Sequence, residues 1–352
     1  MAKSIKISTD DVTYVTLPGS QGEFSADGEA IEDTILGQSF TSMDTGLTSW
    51  SVSSDAIWKG AAGYIANLMS VGTPTAATGE ATTLVSGKTY QIDATAKEIW
   101  DRTATVTVYD NAVDHTADVA NVDYLFGQVT FDTGYSVTGP ITVDVEYFPI
   151  AVIGCAQSYT LTMTANTIDN TCFNTAQANG GRRTYDAGLR TVSFEIQGVY
   201  SPTEDWKTEV QARTEIIIEV DPAGDGLSVA RGFFKLATQS QSGAVGALEE
   251  ESLTFNLYVP TESTNPEVEI PFGWKHEAGT TLNAGCRMIL DSWEQELNTY
   301  YMNYLPSGTP GQSPLDGVSG QFVVTDASLS GDLSSMNVFQ ASMQGTGAFT
   351  VI

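Results

Sequence analysis

Carboxylates set among turn residues are the first feature of this chain that could do chemistry. Asp-Thr-Gly occurs twice, as Asp44-Thr45-Gly46 and Asp132-Thr133-Gly134, and two aspartates sharing one proton can drive acid–base hydrolysis. Neither triplet is followed by the Ser or Thr that such a site uses, since Leu47 and Tyr135 stand there, so both read as turns. Asp221-Pro222-Ala223-Gly224-Asp225-Gly226 offers carboxylates to calcium, but it lacks the ligand spacing and closing glutamate of an EF-hand and also reads as a turn. Cys155, Cys172 and Cys286 form no CxxC pair, and His115 and His276 stand in no HxxxH or HExxH context. GxSxG, Walker A and GxGxxG elements are absent from the sequence. An enzyme is therefore the least expected class, and no metal or cofactor is expected. The 6 Trp and 14 Tyr could line a sugar-binding face, yet Trp50, Trp58, Trp206 and Trp293 fall on stripes that should be core.

Charge narrows the partners. The 352 residues hold 43 acidic and 15 basic side chains, a net −28, which argues against a surface that grips nucleic-acid phosphates. It is compatible with a surface past which nucleic acid slides, and equally with plain solubility or a saline habitat. With 41% hydrophobic and 16% charged residues and 33 Gly, the chain reads as globular and β-rich, with room for two or three domains. MAKSIKISTDD carries no apolar core of a signal peptide, and no run of 18 apolar residues occurs. Synthesis in the cytoplasm without a membrane span is expected.

The element that organises the rest is a long hairpin from Tyr159 to Tyr200. Its arms alternate, Leu161 and Met163 against Thr160, Thr162 and Thr164, then Val192, Phe194 and Ile196, so one face is apolar and one wet. The loop Asn170 to Gly188 is longer than a turn needs, and long loops on rigid strands are where partners are met. A second hairpin precedes it: Gly46 to Trp58 overlays Gly188 to Tyr200 at an offset of 142 (188 − 46), and Ile31 to Thr34 overlays Ile168 to Thr171 at 137 (171 − 34). The second copy's loop is thus five residues longer.

In chain order, residues 1–30 read as edge strands or an arm, and Gly60 to Met69 has helical spacing through Ala61, Tyr64, Ile65 and Leu68. Residues 72–87 read as a small-residue linker. Residues 88–149 read as a compact β unit with strands at Ala104 to Tyr109, Gln128 to Phe131 and Ile141 to Tyr147, turning at Gly127. Ser201-Pro202-Thr203-Glu204 is a capping box opening a helix to about Arg213, packed by Trp206 and Val210. Strands follow at Ile216 to Val220, Val229 to Ala237 and Leu253 to Val259. A helix from Asn283 to Leu297, striped by Cys286, Ile289, Leu290, Trp293 and Leu297, then precedes strands at Tyr300 to Tyr304, around Phe322 to Val324, and Val338 to Val351.

The fold expected is mainly β: duplicated sandwich or barrel units, each with a flanking α-helix, plus a small inserted immunoglobulin-like β-domain. Residues 1–80 would form the N-terminal part of the first unit, completed by 263–352. Residues 81–149 would form the insert and 150–262 the second unit.

A hairpin with a long loop, a capped helix and closing strands resembles the tail tube (major tail) proteins of long-tailed phages and related archaeal viruses. The resemblance rests on Ile168-Asp169-Asn170-Thr171, Asp186-Ala187-Gly188-Leu189 and Phe194 to Tyr200, is best over Tyr159 to Pro260, and is weaker over Phe24 to Met69 and Asn283 to Phe349. It implies a structural virion protein whose rings stack into a tube, a conduit for the tape-measure protein and genome DNA. A duplicated chain would reach a sixfold ring as a homotrimer. It also implies tail terminator and baseplate proteins as partners and the virion tail as location. Ring-stacking contacts would come from Asn174, Gln177, Asn179, Gly180, Gly181, Arg182 and Arg183 in the long loop and from Phe40, Met43 and Asp44 in the short one. The basic residues Arg182, Arg183, Arg190, Lys207, Arg213, Arg231 and Lys235 would lie mostly at subunit contacts. The rival readings are a capsid-decorating or baseplate subunit and, behind these, a carbohydrate-binding module.

Overall fold

A computed structural model describes residues 4–17, 21–32, 43–58, 67–70, 73–149, 151–152, 156–178, 181–199, 211–213, 215–222, 226–242, 250–259, 271–277, 280, 282–291, 299–306, 317–332 and 337–352. The fold is mainly β, with antiparallel sheets. The chain opens with β1 (Ser4–Ser8), β2 (Val15–Leu17), β3 (Gln21–Glu32), β4 (Met43–Trp58) and β5 (Asn67–Ser70). A second sheet follows, made of β6 (Thr75–Ser86), β7 (Thr89–Ile92), β8 (Thr107–Asp110), β9 (Val113–Asp114), β10 (Val119–Asp123), β11 (Gln128–Phe131) and β12 (Ile141–Tyr147). The chain then returns to the first sheet with β13 (Ala151–Val152), β14 (Ala156–Asp169), β15 (Tyr185–Val199), β16 (Glu215–Val220), β17 (Ser228–Ser242) and β18 (Glu250–Leu257). It ends with β19 (Phe272–His276), β20 (Tyr300–Leu305), β21 (Val318–Asp332) and β22 (Asn337–Val351).

Two sets of strands in the main sheet repeat one pairing pattern. β5, β13, β14, β15, β16, β17 and β18 are joined as β1, β2, β3, β4, β20, β21 and β22 are. The registers match as well as the order. Phe24 faces Val52 where Leu161 faces Phe194, at offsets of 137 (161 − 24) and 142 (194 − 52). Val324 faces Met343 where Leu236 faces Phe255, at 88 on both strands (324 − 236, 343 − 255). Ile7 faces Met302 where Leu68 faces Ile218, at 61 (68 − 7) and 84 (302 − 218). Even the irregularities recur: register shifts between Gly28 and Ala30 and between Ala165 and Thr167, and again between Leu236 and Thr238 and between Val324 and Asp326. A bulge adds one residue and locks register, so its recurrence at equivalent positions fixes the same strand geometry in both sets.

The sets differ where the second sheet docks. It lies between β5 and β13, at the place where the first set has only the short turn from β1 to β2. That turn is held by the Asp10 carboxylate, which accepts from Thr13 N–H at 2.8 Å, the Ser8 hydroxyl at 2.7 Å and Val12 N–H at 2.9 Å. These donors, Thr13 N–H foremost, hold its pKa down at about 2. Within the second sheet, β6 pairs with β12 over Thr75 to Ala81 and with β7 over Thr82 to Ser86, so one strand passes through both halves. Trp100, Leu125, Val129 and Val143 fill the core there, joined by Ile217 and Phe233 from the main sheet. This explains the unbroken Ile216-Ile217-Ile218 run: β16 is buried on both faces, as continuous apolar strands are. Its equivalent β20 keeps alternation, with Tyr300, Met302 and Tyr304 buried and Tyr301 and Asn303 half-buried.

Several sequence expectations need correction. The helix expected from Gly60 to Met69 is, where described, strand β5; pairing of Leu68 and Met69 with Ile218 and Ile217 overrides the helical spacing, and residues 59–66 lie outside the described ones. The linker expected at 72–87 is mostly β6, because small residues suit a strand that crosses between two halves of a sheet. A boundary at residue 80 would therefore cut β6, and β5 hydrogen-bonds to the second set rather than the first. The strand expected from Ala104 starts at Thr107. β1 is no arm: Ile5 and Ile7 are buried between β20 and β2. The Ser201 capping box, Trp206 and Val210 lie outside the described residues. The second helix is described over Ala284–Asp291, with Asn283 Oδ1 accepting from Gly285 N–H at 2.7 Å and Cys286, Ile289 and Leu290 buried. Trp293 and Leu297 lie outside the described residues.

Trp50 is a test of the packing. Its indole N–H donates to Gly347 O at 3.1 Å, and a Cβ on Gly345 would lie 2.0 Å from its ring. Gly345→Ala should cost about 3 kcal/mol by overpacking, whereas Gly134→Ala, with nothing within 4 Å, should be close to neutral. Urea denaturation followed by tryptophan fluorescence measures both.

Candidate assembly surfaces

The long hairpin is stitched to the other strand set at its tip. β14 runs to Asp169 and β15 begins at Tyr185, so residues 185–188, expected in the loop, are strand. The connection contains a short helix, Phe173–Ala178, and returns along β4. Thr48 N–H donates to Gly181 O at 2.9 Å and Arg183 N–H to Thr48 O at 2.8 Å. Gly347 N–H donates to Arg183 O at 2.9 Å, and Tyr185 N–H to Thr346 Oγ1 at 2.9 Å. The Arg183 guanidinium reaches Asp169 at 2.6 Å and Glu29 at 3.1 Å, and Arg182 lies 4.5 Å from the Phe349 ring centre. Asp169 above all raises the Arg183 pKa. Gly181, Arg182 and Arg183, expected at ring-stacking contacts, are therefore engaged within the subunit. Asn174 and Gln177 on the short helix are exposed, as is Met43 in β4. Asp44 lies in β4; Asn179, Gly180 and Phe40 lie outside the described residues.

A buried charge cluster joins the two sheets. Arg231 on β17 donates to Glu219 on β16 at 2.8 Å, to Glu98 of the second sheet's connection at 2.7 Å and to Leu125 O at 3.1 Å. Lys275 on β19 sits 3.4 Å from Glu98, and Gln91 donates to Glu98 at 2.9 Å. Burial works against the charge on Arg231, but Glu219 and Glu98 outweigh it and its pKa is raised. Arg102 pairs with Glu215 and stacks 4.3 Å from the Phe233 ring centre. Arg231 was expected at a subunit contact; it is instead a tie inside the subunit. Lys235 likewise lies over the Tyr258 ring. Composition gave no sign of this cluster, although the acidic residues flanking the isoleucines of β16 are its trace in the sequence.

The residues first considered for catalysis are not brought together. Asp132 is exposed beside a turn whose carbonyls accept from Lys88. Asp221 accepts from Gly226 N–H at 2.7 Å, closing its turn. Cys286 is buried, which pushes its thiol up to about 12, and Cys172 is exposed. Among the described residues no group of three or more His, Cys, Asp or Glu could hold a metal, and no helix is long and apolar enough to cross a membrane.

Among the described residues, two open edges of the main sheet have closed counterparts in the other strand set. β14 lies between β15 and β21, closing the gap between the two sets. Its counterpart β3 pairs, among the described residues, with β4 alone. β21 meets β20 with its first half and β14 with its second. Its counterpart β17 meets β16 with its first half, and Thr238 to Ser242 then carry, among the described residues, a partner on the β18 side only.

No family model matches the sequence, and no curated protein matches it. Solved structures with local likeness include a chain from the "tail of empty GTA particle computed with helical refinement, C6 symmetry", with TM-score 0.28 and 18% identity over 33% of this chain and 87% of that one. Another is a chain from the "virion of native gene transfer agent (GTA) particle", with TM-score 0.26 and 17% identity over 33% and 89%.

Arg231→Met leaves Glu98 and Glu219 buried without their shared guanidinium, and breaking such a cluster from one side costs about 3–5 kcal/mol. Replacing Glu98 and Glu219 by glutamine in the same variant should recover part of that loss. Denaturation midpoints of the three proteins check both statements.

Proposed function

We propose that this chain is a structural virion protein of a tail: a duplicated subunit, three copies of which close a ring of six units, with rings stacking into a tube. The observation that carries the reading is the repeated strand register together with two edges open among the described residues, β3 beside β4 and the Thr238 to Ser242 half of β17 beside β18. A sheet whose ends complement each other joins head to tail, and such contacts make rings when the rotation closes. Closure also removes edges that would otherwise invite disordered pairing. In this reading the lumen passes the tape-measure protein and genome DNA, and terminator and baseplate proteins meet the tube's ends. Of the stacking candidates, Asn174, Gln177 and Met43 are exposed and can touch the next ring, with Arg183 anchoring the segment that carries the first two. An acidic wall suits passage, since it holds no counter-charge for phosphates.

Negative-stain microscopy of the purified chain should show rings or tubes with a central hole. Compact monomers, or lattices without a hole, count against the tube and favour a decorating subunit. Gel-shift titration at physiological salt should show no duplex DNA binding tighter than about 10⁻⁴ M, the weak end of non-specific binders; salt-sensitive binding well below that would overturn the charge argument.

A further inference from the structure

We infer that β3 of one copy adds to the open half of β17 in a second copy as an antiparallel strand. Glu23 then faces Ser242, Phe24 faces Gln241, Ser25 faces Ser240, Ala26 faces Gln239 and Asp27 faces Thr238. The inference deepens the assembly reading above and rests on it. Its source is the ladder already present inside the chain, where Thr160 faces Ser330, Leu161 faces Leu329, Thr162 faces Ser328, Met163 faces Ala327 and Thr164 faces Asp326. Moving β14 to β3 by 137 residues and β21 to β17 by 88, the offsets fixed by the hairpin and bulge registers, turns each internal pair into one of those five.

The surfaces agree with this docking. In the internal ladder Ser158 to Thr164 alternate between buried and half-buried, and so do Ser330 back to Ala327. Their counterparts lie open: Glu23, Ala26 and Asp27 are exposed on β3, and Thr238, Ser240, Gln241 and Ser242 on β17. Edge strands are ordinarily guarded by charge or proline, yet Thr238-Gln239-Ser240-Gln241-Ser242 has neither. In a chain of net −28, an uncharged stretch of edge is where an acidic strand can dock without repulsion. The register sets Glu23 and Asp27 opposite the hydroxyls of Ser242 and Thr238, which can donate to them, and opposes no two like charges.

The test is a disulfide. Directly opposed antiparallel residues have Cα atoms about 4.5–5.5 Å apart, inside the range of a disulfide, whereas diagonal neighbours at about 7–8 Å lie outside it. In a Cys155→Ser, Cys172→Ser background, the full chain carrying Ser25→Cys and Ser240→Cys is oxidised mildly and run on a non-reducing gel. Most of it should shift to covalent multimers, ending at three chains for a closed trimer. Ser25→Cys alone, Ser240→Cys alone and the Ser25→Cys/Ser242→Cys pair should stay at one chain. Circular dichroism and microscopy of each variant establish that it folds and assembles. Particles that assemble without the Ser25–Ser240 cross-link, or cross-link equally well through Ser242, overturn the ladder and leave the assembly reading standing. A parent chain that sediments as a monomer at all concentrations overturns both.

Discussion

A strand edge is a row of backbone donors and acceptors that must find partners, and the architecture of this chain follows from where its edges are closed. Unpaired backbone groups are costly when buried and adhesive when exposed. Each strand set on its own would leave its hairpin open. β21 closes the second set's hairpin along β14, making one continuous sheet and one shared core in which Leu161, Phe194, Leu329 and Phe339 all lie. What stays open is the mirror of what is closed.

The second sheet breaks the symmetry and has to be fixed by the set it interrupts. Its hydrophobic seam with Ile217 and Phe233 is narrow, and the Arg231 cluster adds direction to it. Burying charge is expensive, and the cost is offset only where every group has several partners. Glu98 meets that condition, with Arg231, Lys275 and Gln91 around it. β16 is thus buried on both faces with a charge cluster beside it, while β20 keeps a half-exposed outer face.

Much of this was legible in the sequence because strands write a period of two. The arms of the long hairpin, β11 and β12 could be read from alternation, and the 142 and 137 offsets of the hairpins are those of the observed registers. What alternation cannot carry was missed. Leu68 and Met69 sit in a strand too short to show a period, and β6 consists of small residues that look like a linker until two partners claim its halves. The tie between Arg231 and Glu98 spans 133 residues, and no local pattern announces a contact of that range. The length of the loop at the tip of the long hairpin is visible in the sequence, but its anchors Thr48, Thr346 and Gly347 are not. The open edges are a property of topology and had no local signature beyond the missing charges of Thr238 to Ser242.

The ladder between β14 and β21 has a kinetic meaning as well. Because both strands belong to one polypeptide, this contact forms at the high effective concentration of an intramolecular step and does not dilute. A ring made from such chains has every second seam already sewn when the protein folds, and only the alternate seams depend on how much protein the cell has made. If the proposed ring forms, carrying two units in one chain would lower the order of the nucleation reaction, so rings would start from fewer collisions and at lower abundance than rings of single units could.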